Sequence, residues 1–358
     1  MNRKDPTDMT TTTTTAAFPA PARTGRPLVH RLMPAAEAAA LIAAGRACMV
    51  AGDETVLRQL PRGLWVGGSI PYFMAAEGGV CSRTHVFVTE VPVQAGRPAT
   101  AVYDASTLPG VCRDAPLHGY TLLTLPAFSA VHEAYAQESP GYDDMFMRPL
   151  VGWISGVHLS ELQRARPCVV HGPDGQVYTD RGVALHVPLP LTHYAHVDIV
   201  NLFRPGHGPV IEFEHGGFTA HECRIDGHRR NLHDWMAEHA HDMRLPLVAD
   251  YCGAHVNVSI KALNAEQRSV DFYAPVFPGV PYRPALPVAD YVQAFEAALR
   301  QHVPPAEPAF CCNCILNYAY GGLEGRRLPA MHGPATFGEI GYQLLNQTLV
   351  YLSIVDAP

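Results

Sequence analysis

The chain has 358 residues, with 26 Lys and Arg against 33 Asp and Glu, for a formal net charge of −7 with histidine neutral. A content of 47% hydrophobic and 16% charged residues describes a folded chain and argues against a disordered protein or a coiled coil. The length exceeds the roughly 250–300 residues at which a single core stops growing, which predicts two lobes. The acidic balance and the lack of a Lys/Arg-rich block argue against a nucleic-acid footprint or a polybasic membrane contact.

Residues 1–27, rich in Thr, Ala and Pro, read as a disordered leader with too little apolar surface to offset ordering entropy. A helix is expected from the N1-like Pro34 through 35–44, closed by Gly45, with a short strand at 47–51. From 64 to 186 the pattern is of short β-like runs such as 84–91 and 120–125, with helices at 130–137 and 160–165. The prolines of 183–203 and Pro205-Gly206 place a lobe boundary near 200, giving lobes 28–200 and 201–358.

In the second half, 210–213 and 218–223 read as adjacent strands of a hairpin joined at Gly216-Gly217. Asp226-Gly227 marks a turn, and 231–241 a helix. Along 254–260, His255, Asn257 and Ser259 alternate with Val256, Val258 and Ile260, so a polar strand face lies opposite a packing face. A strand at 271–277, a helix at 288–301 with apolar residues at helical spacing, a strand at 309–316 and a terminal strand at 347–355 complete an α+β chain. No short repeat is present.

The run Gly333-Pro334-Ala335-Thr336-Phe337-Gly338-Glu339-Ile340, followed by Leu345-Asn346-Gln347-Thr348-Leu349-Val350, resembles the C-terminal signature of FIST sensory domains. The cysteine-containing segment Cys311 to Asn317 is similar to the strand that precedes that signature, and Trp65 to Ile70 is a weaker N-terminal echo. The resemblance implies a two-lobed intracellular module of mixed sheet and helix that binds a small ligand, with Gly338, Glu339, Asn346 and Gln347 at family positions. Some members are haemoproteins, so it also leaves noncovalent haem open. No kinase, cyclase or regulator output domain is recognisable, so a signal would pass through a separate partner.

Several residue groups can carry chemistry. Glu339, between Gly338 and Ile340, can accept a ligand proton or move one if its site raises its pKa. Cys312 and Cys314 would share a strand face with Cys311 turned away. Residues two apart on a strand lie roughly 6.6–7 Å apart against about 3.8 Å between sulfurs on zinc, so joint chelation is disfavoured and packing or pocket lining is expected.

Asp250-Tyr251-Cys252-Gly253-Ala254-His255 offers a nucleophile in Cys252, a proton carrier in His255 and an orienting carboxylate in Asp250. Gly67-Gly68-Ser69, with Tyr72, reads as a strand leading into a turn whose amides, helped by Ser69 and Tyr72, could receive an anion. Nineteen histidines are scattered without a metal-binding spacing, and no dinucleotide or Walker loop occurs.

Nine cysteines, no signal-peptide core and no long apolar stretch make a cytoplasmic protein without a transmembrane span the expectation. The leading functional expectation is small-ligand binding in a cleft drawn from Gly68, Ser69, Tyr72, Asn257, Ser259, Cys312, Cys314, Gly338 and Asn346, with occupancy passed to a partner protein. The alternatives are an enzyme using Cys252, His255, Asp250 and Glu339, a noncovalent haem sensor, and a scaffold.

Overall fold

The structure, a computed structural model, describes residues 28–251, 253–301, 308–328 and 331–357. The expected leader and Cys252 lie outside the described residues. The fold is α+β and strand-rich, with four six-stranded sheets and one of three strands among the described residues. None of the helices among them is long and apolar enough to cross a membrane.

Local signals set several elements where they were expected. The helix Ala35–Ala43 starts after Pro34, which serves as N-cap rather than N1, and ends at Gly45, whose φ of +77° suits a residue without Cβ. Ala130–Glu138 is capped by Ser129, whose hydroxyl accepts from the His132 amide. Tyr291–Gln301 buries Phe295 and Leu299. The segment expected as a helix at 160–165 holds only the 3-10 turn Leu159–Glu161.

The sheet containing Gly119–Pro126, Leu150–Ser155 and Gly182–Pro188 is the middle layer. One face carries Leu122, Trp153 and Val183 into the largest core, against Trp65–Ser69 of one neighbouring sheet and Phe310–Cys314 of another. The opposite face carries Leu123, Leu125 and Ile154 against Val131 and Tyr135 of the helix Ala130–Glu138. Both faces are therefore apolar, as a covered sheet requires.

The boundary expected near 200 does not separate the sheets. Glu339–Gly341 and Gln343–Leu345 complete the middle sheet, and Phe310–Cys314, Gly333–Thr336 and Thr348–Asp356 share a sheet with Tyr72–Ala75 and His193–Asn201. The segment between Ile211 and Pro284 instead builds two sheets around its own core of Phe213, Leu232, Trp235, Phe272 and Tyr282. The second unit is thus an insertion, and the last fifty residues return to the body. The Gly216-Gly217 hairpin is also corrected: Ile211–Glu212 pairs with Glu222–Ile225, whereas Gly217–Ala220 pairs with Ser269–Val276 in the other sheet.

Candidate functional site

Cross-strand partners share a sheet face. The register Val102, Val183, Thr124, Trp153, Glu339, Leu345 therefore forms one row across the inner face of the middle sheet. This row puts a carboxylic acid inside an apolar core. Glu339 is fully buried, and burial pushes its carboxyl from 4.5 up to about 8, with a hydrogen bond from Thr348 Oγ1 to Oε2 (2.9 Å) and the adjacent Cys314 thiol opposing. At neutral pH the group is mainly the neutral acid. Its Oε1 has no hydrogen-bond partner among the described residues.

The neighbours along the row are unpartnered too. Trp153 Nε1 and Thr124 Oγ1 are buried without partners, as are the Ser155, Tyr291 and Asn346 side-chain oxygens. Three of these groups surround Gly68: a Cβ there would lie 2.5 Å from Thr124 Cγ2, 3.0 Å from Ser155 Cβ and 3.1 Å from Trp153 Nε1. Trp153 in turn stacks on Phe310, with ring centroids 6.0 Å apart. Two residues on, the Cys312 thiol donates to Gly152 O (3.3 Å), and Cys314 faces Glu339. The face shared by Cys312 and Cys314 is the one the strand period predicts, and burial pushes both thiols well above 9. Of the described cysteines only Cys81 is part-exposed, so native protein should react with iodoacetamide at Cys81 long before Cys312 or Cys314, as peptide mapping would show.

The expected anion-binding turn is an interior strand. Trp65–Ser69 pairs with Cys48–Gly52 on one side and Val169–His171 on the other, and the Ser69 and Ile70 amides donate to Cys168 O and Gly52 O. Gly67 is required for packing, since a Cβ would sit 2.3 Å from Val50 O. Ser69 Oγ donates to Gly156 O (2.8 Å) and accepts from the Cys168 amide (2.9 Å), while Tyr72 Oη accepts from the Leu159 amide (3.1 Å). Ser69 is thus spent on tying its sheet to the end of the strand Leu150–Ser155, and Tyr72 on holding the 3-10 turn Leu159–Glu161. Gly338 likewise packs closely, 3.0 Å from Ile154 Cγ1 at the position of a Cβ.

Asn346 and Gln347 form a latch between body and insertion, while the adjacent Thr348 is bonded to Glu339 and Asn317 of the body. Asn257, fully buried, donates to Asn346 O (3.0 Å) and to Asn201 Oδ1 (3.0 Å), and accepts from Asn201 Nδ2 (3.0 Å). Ser259 Oγ donates to Gln347 Oε1 (2.7 Å), and Gln347 Nε2 donates to Arg244 O (3.0 Å). Along 257–260 both faces are buried, the polar one against Asn346 and Gln347, while Ala254 is exposed and His255 and Val256 are half-buried. Removing Asn257 takes the side-chain donor from the Asn346 carbonyl, whereas Asn201 Oδ1 keeps the Phe203 amide. Asn257→Ala should lose about 2–4 kcal/mol in urea unfolding and increase amide exchange along 346–348.

Asp250 and His255 are cross-strand partners at the end of the hairpin Leu247–Tyr251 and Ala254–Val258, with Nε2 and Oδ2 4.0 Å apart. Asp250 is exposed and also accepts from the Gly253 amide (2.6 Å), whereas Glu339 is enclosed. Asp250 and Glu339 share no hydrogen-bond or ion-pair partner among the described residues, although the His255 carbonyl accepts from Asn201 Nδ2 of the asparagine network.

An open cleft of about 630 Å³ lies elsewhere, along Ala101 to Tyr103, with Ser106, Arg113, Asp114 and Asp143 on its walls. Its floor carries a hydrogen-bond chain: Tyr103 Oη donates to Asp114 Oδ2 (3.0 Å), His186 Nε2 contacts Tyr103 Oη (3.0 Å), and Thr121 Oγ1 contacts His186 Nδ1 (2.8 Å). Burial pulls His186 down to about 4, with Asp114 opposing, so the imidazole is neutral. With the phenol proton on Asp114, Nε2 must carry the imidazole proton and Nδ1 accept from Thr121.

This geometry fits neither haem nor a metal cluster. Haem needs an apolar slot and a free axial ligand. The cleft is lined largely by charged and hydroxyl groups with no His, Cys or Met; its Tyr103 hydroxyl is already held, and the Tyr142 hydroxyl is buried away from the opening. Among the described residues no three His, Cys, Asp or Glu side chains are grouped to hold a metal ion.

The family model that matches runs from residue 33 to 355 and so covers body, insertion and latch together. The chain belongs to DUF6976, a family of unknown function. No curated protein matches the chain. Because the DUF6976 match includes the insertion, the latch at Asn346 and Gln347 joins two parts of one family unit. Trp153, Thr124, Tyr291 and Asn201 were missed by sequence reasoning. Each lies far along the chain from the residues it packs beside and has no motif around it.

Proposed function

We propose that the chain is a small-ligand-binding sensory protein of FIST-like organisation that passes occupancy to a separate protein. One observation carries the reading: Glu339, mainly neutral, sits with Oε1 unpartnered beside further buried unpartnered groups, at the meeting of the middle sheet, the cysteine strand and the latch. Buried polar groups are nearly always paired, and a cluster of orphans is where a guest or ordered water belongs. The guest would be compact and polar, taking a hydrogen bond from Trp153 or the acid form of Glu339. Exchange would require the latch to loosen, and that two-state element is what a partner can sense if the guest favours one state.

Native mass spectrometry of freshly purified protein is the test. One-to-one retention of a small polar compound, lost together with its thermal stabilisation in Trp153→Phe and Glu339→Gln, is expected. Guest-free protein whose melting temperature responds to no compound in a polar small-molecule set would overturn the reading.

An enzymatic alternative has its own observation, the Asp250 and His255 pair at a hairpin end, with Cys252 between them in the sequence. It predicts a substrate-dependent adduct on Cys252 and loss of turnover in Cys252→Ser. Unchanged turnover in that variant removes Cys252 as nucleophile.

A further inference from the structure

We infer that the open edge of the strand Ala99–Tyr103 docks an extended segment of another polypeptide, held by main-chain hydrogen bonds and by Arg113 against an acidic side chain of that segment. The inference rests on the cleft alone and is independent of the Glu339 site.

The strand lies at the end of the middle sheet, paired antiparallel to Gly182–Pro188 on one side, and no strand among the described residues pairs with its other side. In an antiparallel ladder alternate residues point their N–H and C=O groups away from the partner, so an edge is a template for one more strand. Exposed edges are usually blunted by charge, proline, a bulge or a covering segment. Ala99-Thr100-Ala101-Val102-Tyr103 has none of these within it.

Other edges differ. Gly78–Cys81 is covered by backbone, with the Gly79 amide donating to Arg326 O (3.0 Å) and the Gly325 amide to Gly79 O (2.8 Å). His228–Asn231 carries two arginines. Gly217–Ala220 is broken by a register shift.

The cleft runs beside Ala101, Val102 and Tyr103 and is walled on its far side by exposed polar residues. Its walls are held in place. Asp104 accepts from the amides and hydroxyls of Ser106 and Thr107, and Asp114 is bonded to Tyr103. Pre-formed walls lower the ordering cost of binding.

Arg113 is the one Lys or Arg among the cleft-lining residues, and it makes no ion pair among the described residues, on a chain of net charge −7. A guanidinium left free beside an open strand edge fits a carboxylate on the incoming strand, while Asp143 on the same rim and Asp114, which is held by the Tyr103 hydroxyl, repel a second one. Strand addition by main-chain bonding with side-chain selection is an established mode of peptide recognition.

The test uses the full chain and acetylated, amidated heptapeptides of alternating Thr and Val with Glu, Gln or Lys at the centre. Saturable binding of the Glu peptide is expected by calorimetry, about threefold to tenfold weaker for the Gln peptide or for Arg113→Ala, with the Lys peptide weakest. Bound peptide should slow amide exchange within 99–103.

Ala101→Pro and Val102→Pro separate docking from folding, because adjacent residues point their amides to opposite sides of the strand. One should keep the parent's unfolding midpoint yet lose peptide binding. The proposal is overturned if none of the peptides binds, if Arg113→Ala binds all three peptides as the parent does, or if the stable proline variant still binds. It is likewise overturned if sedimentation shows a dimer that this proline variant converts to monomer, since the edge would then be occupied by a second copy.

Discussion

Glu339→Gln is expected to reverse the order of stability between parent and variant across neutral pH. A carboxyl held at about 8 in the folded state and 4.5 in the unfolded state keeps its proton on folding across that window. The native state binds more protons there, so stability falls as pH rises from about 4.5 to about 8. That displacement corresponds to on the order of 5 kcal/mol of stability lost in the parent. Glutamine does not titrate and escapes the loss.

Two buried histidines act in the opposite direction. His132 and His186 are pulled from 6.5 down to about 4 by burial, so the unfolded state binds their protons more readily. Their contribution is complete above pH 6.5 and is lost as pH falls toward 4. The parent should therefore be most stable near pH 6.5, where the histidine gain ends and the Glu339 loss continues. At pH 5 Glu339→Gln should be about 1 kcal/mol less stable than the parent, through a poorer contact with Thr348, and clearly more stable at pH 9. Urea unfolding from pH 5 to 9 reads both curves. An alkaline slope in the variant equal to that of the parent would show that Glu339 is not the group responsible.

Gly152→Ala should abolish folding. Gly152 stands on Leu150–Ser155, parallel to Gly119–Pro126 with Leu123 as its register partner. A Cβ would lie 1.8 Å from Leu123 O and 2.7 Å from Leu123 C, which are backbone atoms of the middle sheet and cannot turn aside. Separating those strands disrupts the ladder on which the Glu339 row is built, a cost above about 5 kcal/mol and comparable with a domain's total stability. Insoluble or unfolded protein by circular dichroism is the expected outcome.

Gly68→Ala is the comparison. Its nearest neighbours, at 2.5, 3.0 and 3.1 Å, are side-chain atoms of Thr124, Ser155 and Trp153. Side chains can shift at about 1–3 kcal/mol, so this variant should fold with a lowered urea midpoint. Equal behaviour of the two variants would contradict the distinction between backbone and side-chain crowding.

Short-range signals were legible without the fold. The helix Ala35–Ala43 with its Gly45 terminus, the Ser129-capped helix and the amphipathic helix Tyr291–Gln301 each depend on cues within about one element's length. The shared face of Cys312 and Cys314 follows from strand period alone. Glu339 and Asn346 were singled out by the C-terminal signature, and they do meet the cysteine strand and the insertion.

Glycine misled where its reason was tertiary. Gly67-Gly68 reads as a turn by composition, yet the pair lies in an interior strand because Val50 O and the Trp153 side chain approach too closely for a Cβ. Gly216-Gly217 suggests a hairpin, yet the strands it separates belong to different sheets.

Sequence by itself determined the α+β character, the periodicity of the elements and the chemical types at the latch. Only the tertiary structure decided that residues 310–356 return to complete the N-terminal sheets, that Trp153 and Glu339 stand side by side, and that Asn257 joins Asn201 to Asn346. The reason is physical. A helix or strand follows from local sterics and spacing, whereas sheet order follows from which apolar faces can be covered together. That choice is made between segments as distant as Cys312 and Gly152, 160 residues apart, and no local pattern encodes it.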